Sequence, residues 1–156
     1  MANQKLQVAR ALRIYKSDNA DIPFPNISRS GANTSVVANK LVVAGANFTA
    51  DQVAAGDIVY NTSTGVSATV TNLDSTTQIA LNADIFLATP NNFVIYKGGA
   101  NNGCVIYVGE GGDVEVTTAG GDRVIFYGLL TGQFVPVHVT KVWSAGTNAL
   151  NLLALW

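Results

Sequence analysis

The stretch that most constrains this chain runs from residue 103 to 156 and reads GCVIYVGEGGDVEVTTAGGDRVIFYGLLTGQFVPVHVTKVWSAGTNALNLLALW. Short runs rich in Val, Ile, Tyr, Phe and Trp occupy residues 104–108, 113–118, 123–129, 134–143 and 149–156. The gaps between them hold Gly-Glu-Gly-Gly, Ala-Gly-Gly-Asp, Thr-Gly and Ala-Gly-Thr-Asn. Glycine enters positive φ at little steric cost, so such clusters mark tight turns between antiparallel strands. Closely and evenly spaced strands of this kind predict an all-β sandwich or barrel.

Residues 37–97 read as a second compact unit. Strands are expected at 40–44, 57–61, 66–72, 78–82 and 93–97, with a turn or short helix over 47–57. The clearest is 66–72, where Val66, Ala68 and Val70 alternate with Ser67, Thr69 and Thr71, the period of a half-buried strand. Gly98-Gly-Ala-Asn-Asn-Gly is the strongest boundary signal. Residues 5–15 fit one strand face through Leu6, Val8, Leu12 and Ile14, with a helical alternative through Val8, Leu12 and Tyr15. Residues 28–36 read as a polar loop. The N-terminal strands have no core of their own, so they are expected to join the C-terminal sheet. The fold expectation is all-β: an antiparallel β-sandwich or jelly-roll-like unit from residues 1–36 and 99–156. Residues 37–98 are inserted in it as a small β-barrel or β-roll, which chain entropy tolerates well.

Charge narrows the function. Asp, Glu, Lys and Arg make up 12% of the 156 residues, about half the usual share. A charge-poor β surface is expected to be covered by neighbours, as in a homo-oligomer or a shell subunit. The formal net charge of −1 gives no nucleic-acid footprint, although Lys5, Arg10, Arg13 and Lys16 cluster near the N-terminus. Phosphate binding there is the minor reading, against a solvated face of an ordered segment. Cys104 stands alone, so no intrachain disulfide forms, and it suits a small buried hydrophobe. No leader-like apolar core opens the sequence and no run is apolar enough for a spanning helix, so the expectation is synthesis in a cytoplasm without export by the usual route.

Catalytic signals are weak. His138, the one histidine, alternates with Val137 and Val139 and has no signalled nucleophile or acid, which favours a structural or interface role. Gly109-Glu-Gly-Gly lacks the Gly-Lys-Ser/Thr ending of a phosphate loop. Asp18-Asn-Ala-Asp offers oxygens for calcium without the EF-hand spacing, and the other aspartates fall at turns. No metal and no cofactor are expected. Pro23 and Pro25 hold 22–25 extended and withhold amide donors, so this segment reads as an edge strand or an arm that docks on a neighbour. The expected subunit or capsid contacts are Ile22, Pro23, Phe24, Pro25, Trp143 and Trp156, with the two tryptophans equally suited to a core.

The motifs carry a resemblance. Tyr107-Val-Gly-Glu-Gly-Gly-Asp-Val-Glu-Val-Thr-Thr-Ala-Gly-Gly-Asp, then Phe134-Val-Pro-Val, Lys141-Val-Trp-Ser-Ala-Gly-Thr-Asn-Ala and Leu153-Ala-Leu-Trp, resembles the head-spike base protein family of tailed phages and gene transfer agents. Ser17-Asp-Asn-Ala-Asp-Ile-Pro-Phe-Pro matches the N-terminal segment of that family. The resemblance covers roughly residues 10–27 and 103–156. Residues 39–97 depart from it and are similar to a small module of many virion proteins, through Lys40-Leu, Asn47-Phe, Val53, Gly56-Asp-Ile-Val-Tyr-Asn, Ala68-Thr-Val-Thr and Asp84-Ile-Phe.

The resemblance implies an all-β, non-enzymatic subunit of the virion that forms a ring, a trimer or pentamer, and holds the major capsid protein or other virion proteins, with a spike fibre as a further partner. The expected station is head decoration or vertex-spike base, with collar, tail or baseplate as the alternative. No nucleic acid or membrane partner is expected. A rival reading makes 39–97 a glycan-binding module using Tyr60, Phe86, Phe93 and Tyr96. A membrane β-barrel subunit is a third, disfavoured by the lack of lipid-facing alternation.

Overall fold

The computed structural model describes residues 8–99 and 101–156. Lys5 and Leu6, two of the residues used in reading the N-terminal segment, lie outside the described residues. Among the described residues the chain forms strands and turns and no helix. The strands are β1 (Ala11–Arg13), β2 (Ile27–Ala32), β3 (Lys40–Val42), β4 (Ile58–Asn61), β5 (Val66–Ser75), β6 (Gln78–Leu81), β7 (Asn92–Tyr96), β8 (Cys104–Tyr107), β9 (Gly112–Thr118), β10 (Arg123–Leu129), β11 (Phe134–Val142) and β12 (Leu153–Leu155). They build two six-stranded antiparallel sheets, ordered β1-β12-β8-β11-β9-β10 and β2-β7-β4-β5-β6-β3.

The first sheet joins the two ends of the described chain. β1 pairs with β12, Leu12 opposite Ala154, as the lack of an independent N-terminal core requires. β11 lies between β8 and β9, and register shifts near Val139 bend it so that one strand serves both neighbours. Alternate residues point to a closed core of Cys104, Ile106, Val108, Val114, Val116, Val135, Val139, Val142 and Ala154, all buried. Ile14, Ile22, Ala149 and Leu152 close that core from the connecting segments.

The second sheet corrects the sequence reading at one boundary. Residues 28–32, expected as part of a polar loop, belong to β2 and pair with β7. Their polar side chains mislead because an edge strand is held by backbone bonds. Arg29 also lays its guanidinium over Phe48 and pairs with Asp51. The middle unit therefore begins at about residue 27, and its N-terminal strand does not belong to the first sheet. Past β2, Ser35 bridges Val42 of β3, so the open strand order curls into a roll. Inside lie Leu41, Phe48, Val59, Val70, Ile79, Phe86, Phe93 and Ile95, with Phe86 and Phe93 edge to face at 6.4 Å. Residues 47–56 settle as turns, opened by the Asn47 side chain accepting the Ala50 amide. The glycine run after β7 is fastened: Gly98 donates to the Asp57 carboxylate at 3.0 Å. A Cβ on Gly98 would stand 1.9 Å from the Gly56 carbonyl oxygen, so only glycine passes there.

A third cluster joins the sheets. Ile58, Tyr60 and Tyr96 turn away from the roll and pack with Leu12, Tyr15 and Ala20. Tyr15 and Tyr60 have ring centroids 4.5 Å apart. β4 is therefore buried on both faces.

Cys104 reports on the first core. It is 1% exposed, donates to the Val139 carbonyl at 3.3 Å, and burial pushes its thiol up to about 12. Native protein at about pH 8 should resist alkylation, and unfolded protein should react as an ordinary thiol. The raised value also means that this contribution to stability is present below the unfolded value of 9.0 and fades as pH climbs towards 12. Mass spectrometry after iodoacetamide, with and without denaturant, checks the first expectation. Rapid native labelling would contradict it.

Candidate assembly surface

The residues expected to contact a neighbour fall into two groups. Ile22 is 3% exposed and sits in the first core, and its amide donates to Thr140 at 2.8 Å. Pro23 is buried beside it. This corrects the reading of 22–25 as a free arm: the segment forms no strand and closes on its own chain. The apolar side chain that would have latched a neighbour finds a nearer cavity. Phe24 and Pro25 are half-buried. The Phe24 ring meets Trp156 edge to face at 5.3 Å, under the Arg10 guanidinium, which bonds to the Pro25 carbonyl. Trp156 donates its indole N–H to Asn101 at 3.1 Å.

Trp143 is half-buried, and its N–H donates to the Thr117 hydroxyl at 2.9 Å. Arg123 and Lys141 stand 3.7 and 3.9 Å from the ring centroid, too close for both cations to share one face, so each covers a side. Arg123 is also held by Glu115 at 2.7 Å. Trp143 is thus spent within its own sheet.

The surface that is left open lies elsewhere. The outward face of the first sheet is apolar across strands. Leu153 is opposite Tyr107, and Tyr107 is opposite Phe134. Leu155 is opposite Val105 one row away. Tyr107 and Phe134 pack at 5.5 Å, and Phe134 is 45% exposed. Val105, Phe134, Pro136 and His138 line a shallow groove of about 660 Å³. At the sheet edge, β10 exposes Val124, Ile125 and Tyr127, the last at 75%, with Leu130 beyond it at 72%. Gly128, at φ 63°, marks the shift in the β9–β10 register and ends this apolar edge. His138 takes its place on the groove wall.

Sequence reasoning named the tryptophans and missed Tyr107, Ile125, Tyr127 and Phe134. The signal was present: 104–107 and 124–127 are apolar without alternation. In an antiparallel sheet, that pattern gives both faces an apolar character. The glycan reading is corrected as well, since Tyr60, Phe86, Phe93 and Tyr96 are all buried. Asp18 accepts the Ser144 and Ala145 amides, which is a loop-fastening role.

Among the described residues, no group of His, Cys, Asp and Glu gathers in an arrangement that would hold a metal, and no helix is long and apolar enough to cross a membrane. Comparisons with protein-family models, with curated proteins and with solved structures find no match to this chain.

The two groups should respond differently to substitution. Phe24→Ala removes a half-buried intramolecular contact and should cost about 1–3 kcal/mol of folding stability. It should leave the size of any oligomer unchanged. Chemical denaturation and light scattering on the same sample check this, and loss of assembly at unaltered stability would return Phe24 to the interface.

Proposed function

We propose that this chain is a non-enzymatic structural protein of a tailed-phage particle, a head decoration or vertex-spike base subunit. In this reading it works by self-assembly and by docking to the capsid. The observation that carries the proposal is the pair of apolar patches left open on the first sheet, half-buried Tyr107 with exposed Phe134 and, beyond β9, exposed Ile125 with Tyr127, on a chain with only 12% charged residues. Exposed apolar patches on a folded subunit fit a surface that another protein covers. An edge strand such as β10, charged only at Arg123, is suited to pairing with another chain.

The motif resemblance over residues 10–27 and 103–156 supplies the particle, and the two-sheet architecture supplies a body with distinct ends. The first sheet presents the assembly surface, and the roll of residues 27–96 is the part that projects. The protein would be made in the host cytoplasm and reside in the virion. Its partners would be further copies of itself and the major capsid protein.

The purified protein should sediment as a closed oligomer, a trimer for decoration at shell three-folds or a pentamer for a vertex base. Tyr127→Asp combined with Phe134→Asp should reduce it to a folded monomer, because both side chains are exposed and contribute little to the core. Light scattering with negative-stain imaging reads the state, and circular dichroism reads the fold. A wild-type monomer that neither self-associates nor binds purified capsids would overturn the proposal.

A further inference from the structure

The cluster of basic residues near the N-terminus has a structural destination that assembly does not use. Arg13 and Lys16 flank the segment between β1 and the inter-sheet cluster, and both line a cleft of about 400 Å³ between the two sheets. Across from them lies the β4–β5 turn with Thr62, Ser63 and Thr64, and Asn151 stands on the approach to β12. No carboxylate side chain lines this cleft among the described residues. Arg29, Lys40, Lys97 and Arg123 each pair with an Asp or Glu, whereas Arg13 and Lys16, like Arg10 and Lys141, have no carboxylate partner among the described residues. Two cations without a carboxylate partner therefore line one concave site of a chain whose net charge is −1, Lys16 also bordering a second cleft lined by Asp18 and Asp84.

The donors are held ready. The Arg13 guanidinium lies 5.8 Å from the centre of the Tyr15 ring, which limits its rotamers while leaving its fork of N–H groups open. Lys16 spends one donor on the Thr147 carbonyl at 2.7 Å and keeps two. The turn is rigid: Asn61 accepts the Ser63 and Thr64 amides and donates to Ile85, and Gly65 closes it at φ 74°. Ser63 is engaged with the Asn92 amide, while the Thr62 and Thr64 hydroxyls have no intramolecular partner among the described residues.

We propose that this cleft binds an anionic saccharide, a sugar carrying a phosphate or carboxylate group. The anion is the natural partner of a guanidinium fork and an ammonium on one wall. The row of hydroxyls opposite, and the Asn151 amide on the cations' own wall, match the donor and acceptor pattern of sugar hydroxyls. The volume falls in the range of small-ligand clefts, about 300–1,000 Å³, and leaves room for a sugar ring beyond the anion. Because the walls come from both sheets, a bound sugar bridges them. The inference stands apart from the virion reading: a monomer that binds would sustain it.

The test is a titration of the full chain followed by amide chemical shifts, at constant ionic strength. The probes are glucose 6-phosphate, glucuronate, glucose and inorganic phosphate. Saturable shifts at residues 13–16 and 62–65 with either acidic sugar, weaker with phosphate alone and absent with glucose, are expected. Arg13→Gln should weaken binding by about tenfold or more, the loss of a charged hydrogen bond. Lys40→Gln, the same charge change outside the cleft, should leave it unaltered. Thr64→Ala removes a hydroxyl from an exposed turn and should weaken the acidic sugars but not phosphate, which keeps the test valid if Lys16→Gln disturbs the fold. No saturable shift, equal binding by the Arg13 variant, or phosphate alone binding as tightly as the sugars would overturn the proposal. So would a single-stranded oligonucleotide that outcompetes both sugars.

Discussion

The two sheets are held as one body by the segment from Leu12 to Ile22, which buries its side chains in two directions. Ile14 and Ile22 enter the core of the first sheet, and Leu12, Tyr15 and Ala20 enter the cluster against Ile58, Tyr60 and Tyr96. Its backbone is bonded on the first side through Ile14, Ser17 and Ile22 to Leu152, Val142 and Thr140. On the other side the Asn19 carbonyl accepts from Thr69 and Asn82 of the roll. A strap used on both faces cannot move without opening both interfaces, so the two prolines that follow it serve the fold of this chain. Pro23 and Pro25 keep the exit extended as the chain passes from the first sheet to β2.

That use of the strap bears on which apolar side chains remain open to solvent. With Ile22, Trp143 and Trp156 taken up internally, the apolar area left open on the first sheet includes the outer face of β12, β8 and β11 and the edge at β10. In the proposed assembly that outer apolar face is the one a partner would cover. The scarcity of charge agrees with the proposed assembly, in which lysines and glutamates on that face would have to be desolvated. Where charge does occur it is engaged in place, as with Arg123 and Lys141 clasping Trp143.

The inter-sheet cleft is the exception to this economy. No carboxylate among the described residues lines it, and its walls belong to different sheets, so its shape depends on the strap being seated. Assembly and ligand capture would thus use opposite features of one body: an uncharged apolar face for protein, and a polar, positively charged recess for a small anion.

Much of the fold was legible in the sequence. The glycine-punctuated runs of 103–156 became β8 to β12, the alternation at 66–72 became β5, and β1 joined the C-terminal sheet because it had no core of its own. These are local matters of φ, period and apolar content, and local matters are written in the chain. What the tertiary structure alone decided is which apolar side chains were consumed. Ile22 and Phe24 read the same whether they meet a neighbour or their own chain, and only the position of the core behind β11 and of Trp156 assigns them inward. Ser28 and Ser30 read as loop, and only the open edge of β7 makes them strand. Arg13 and Thr64 are far apart in sequence, and only the docking of two sheets through the strap brings them to one cleft. Periodicity fixes which face of a strand is apolar; the partner of that face is set by contacts between distant segments, which no local pattern encodes.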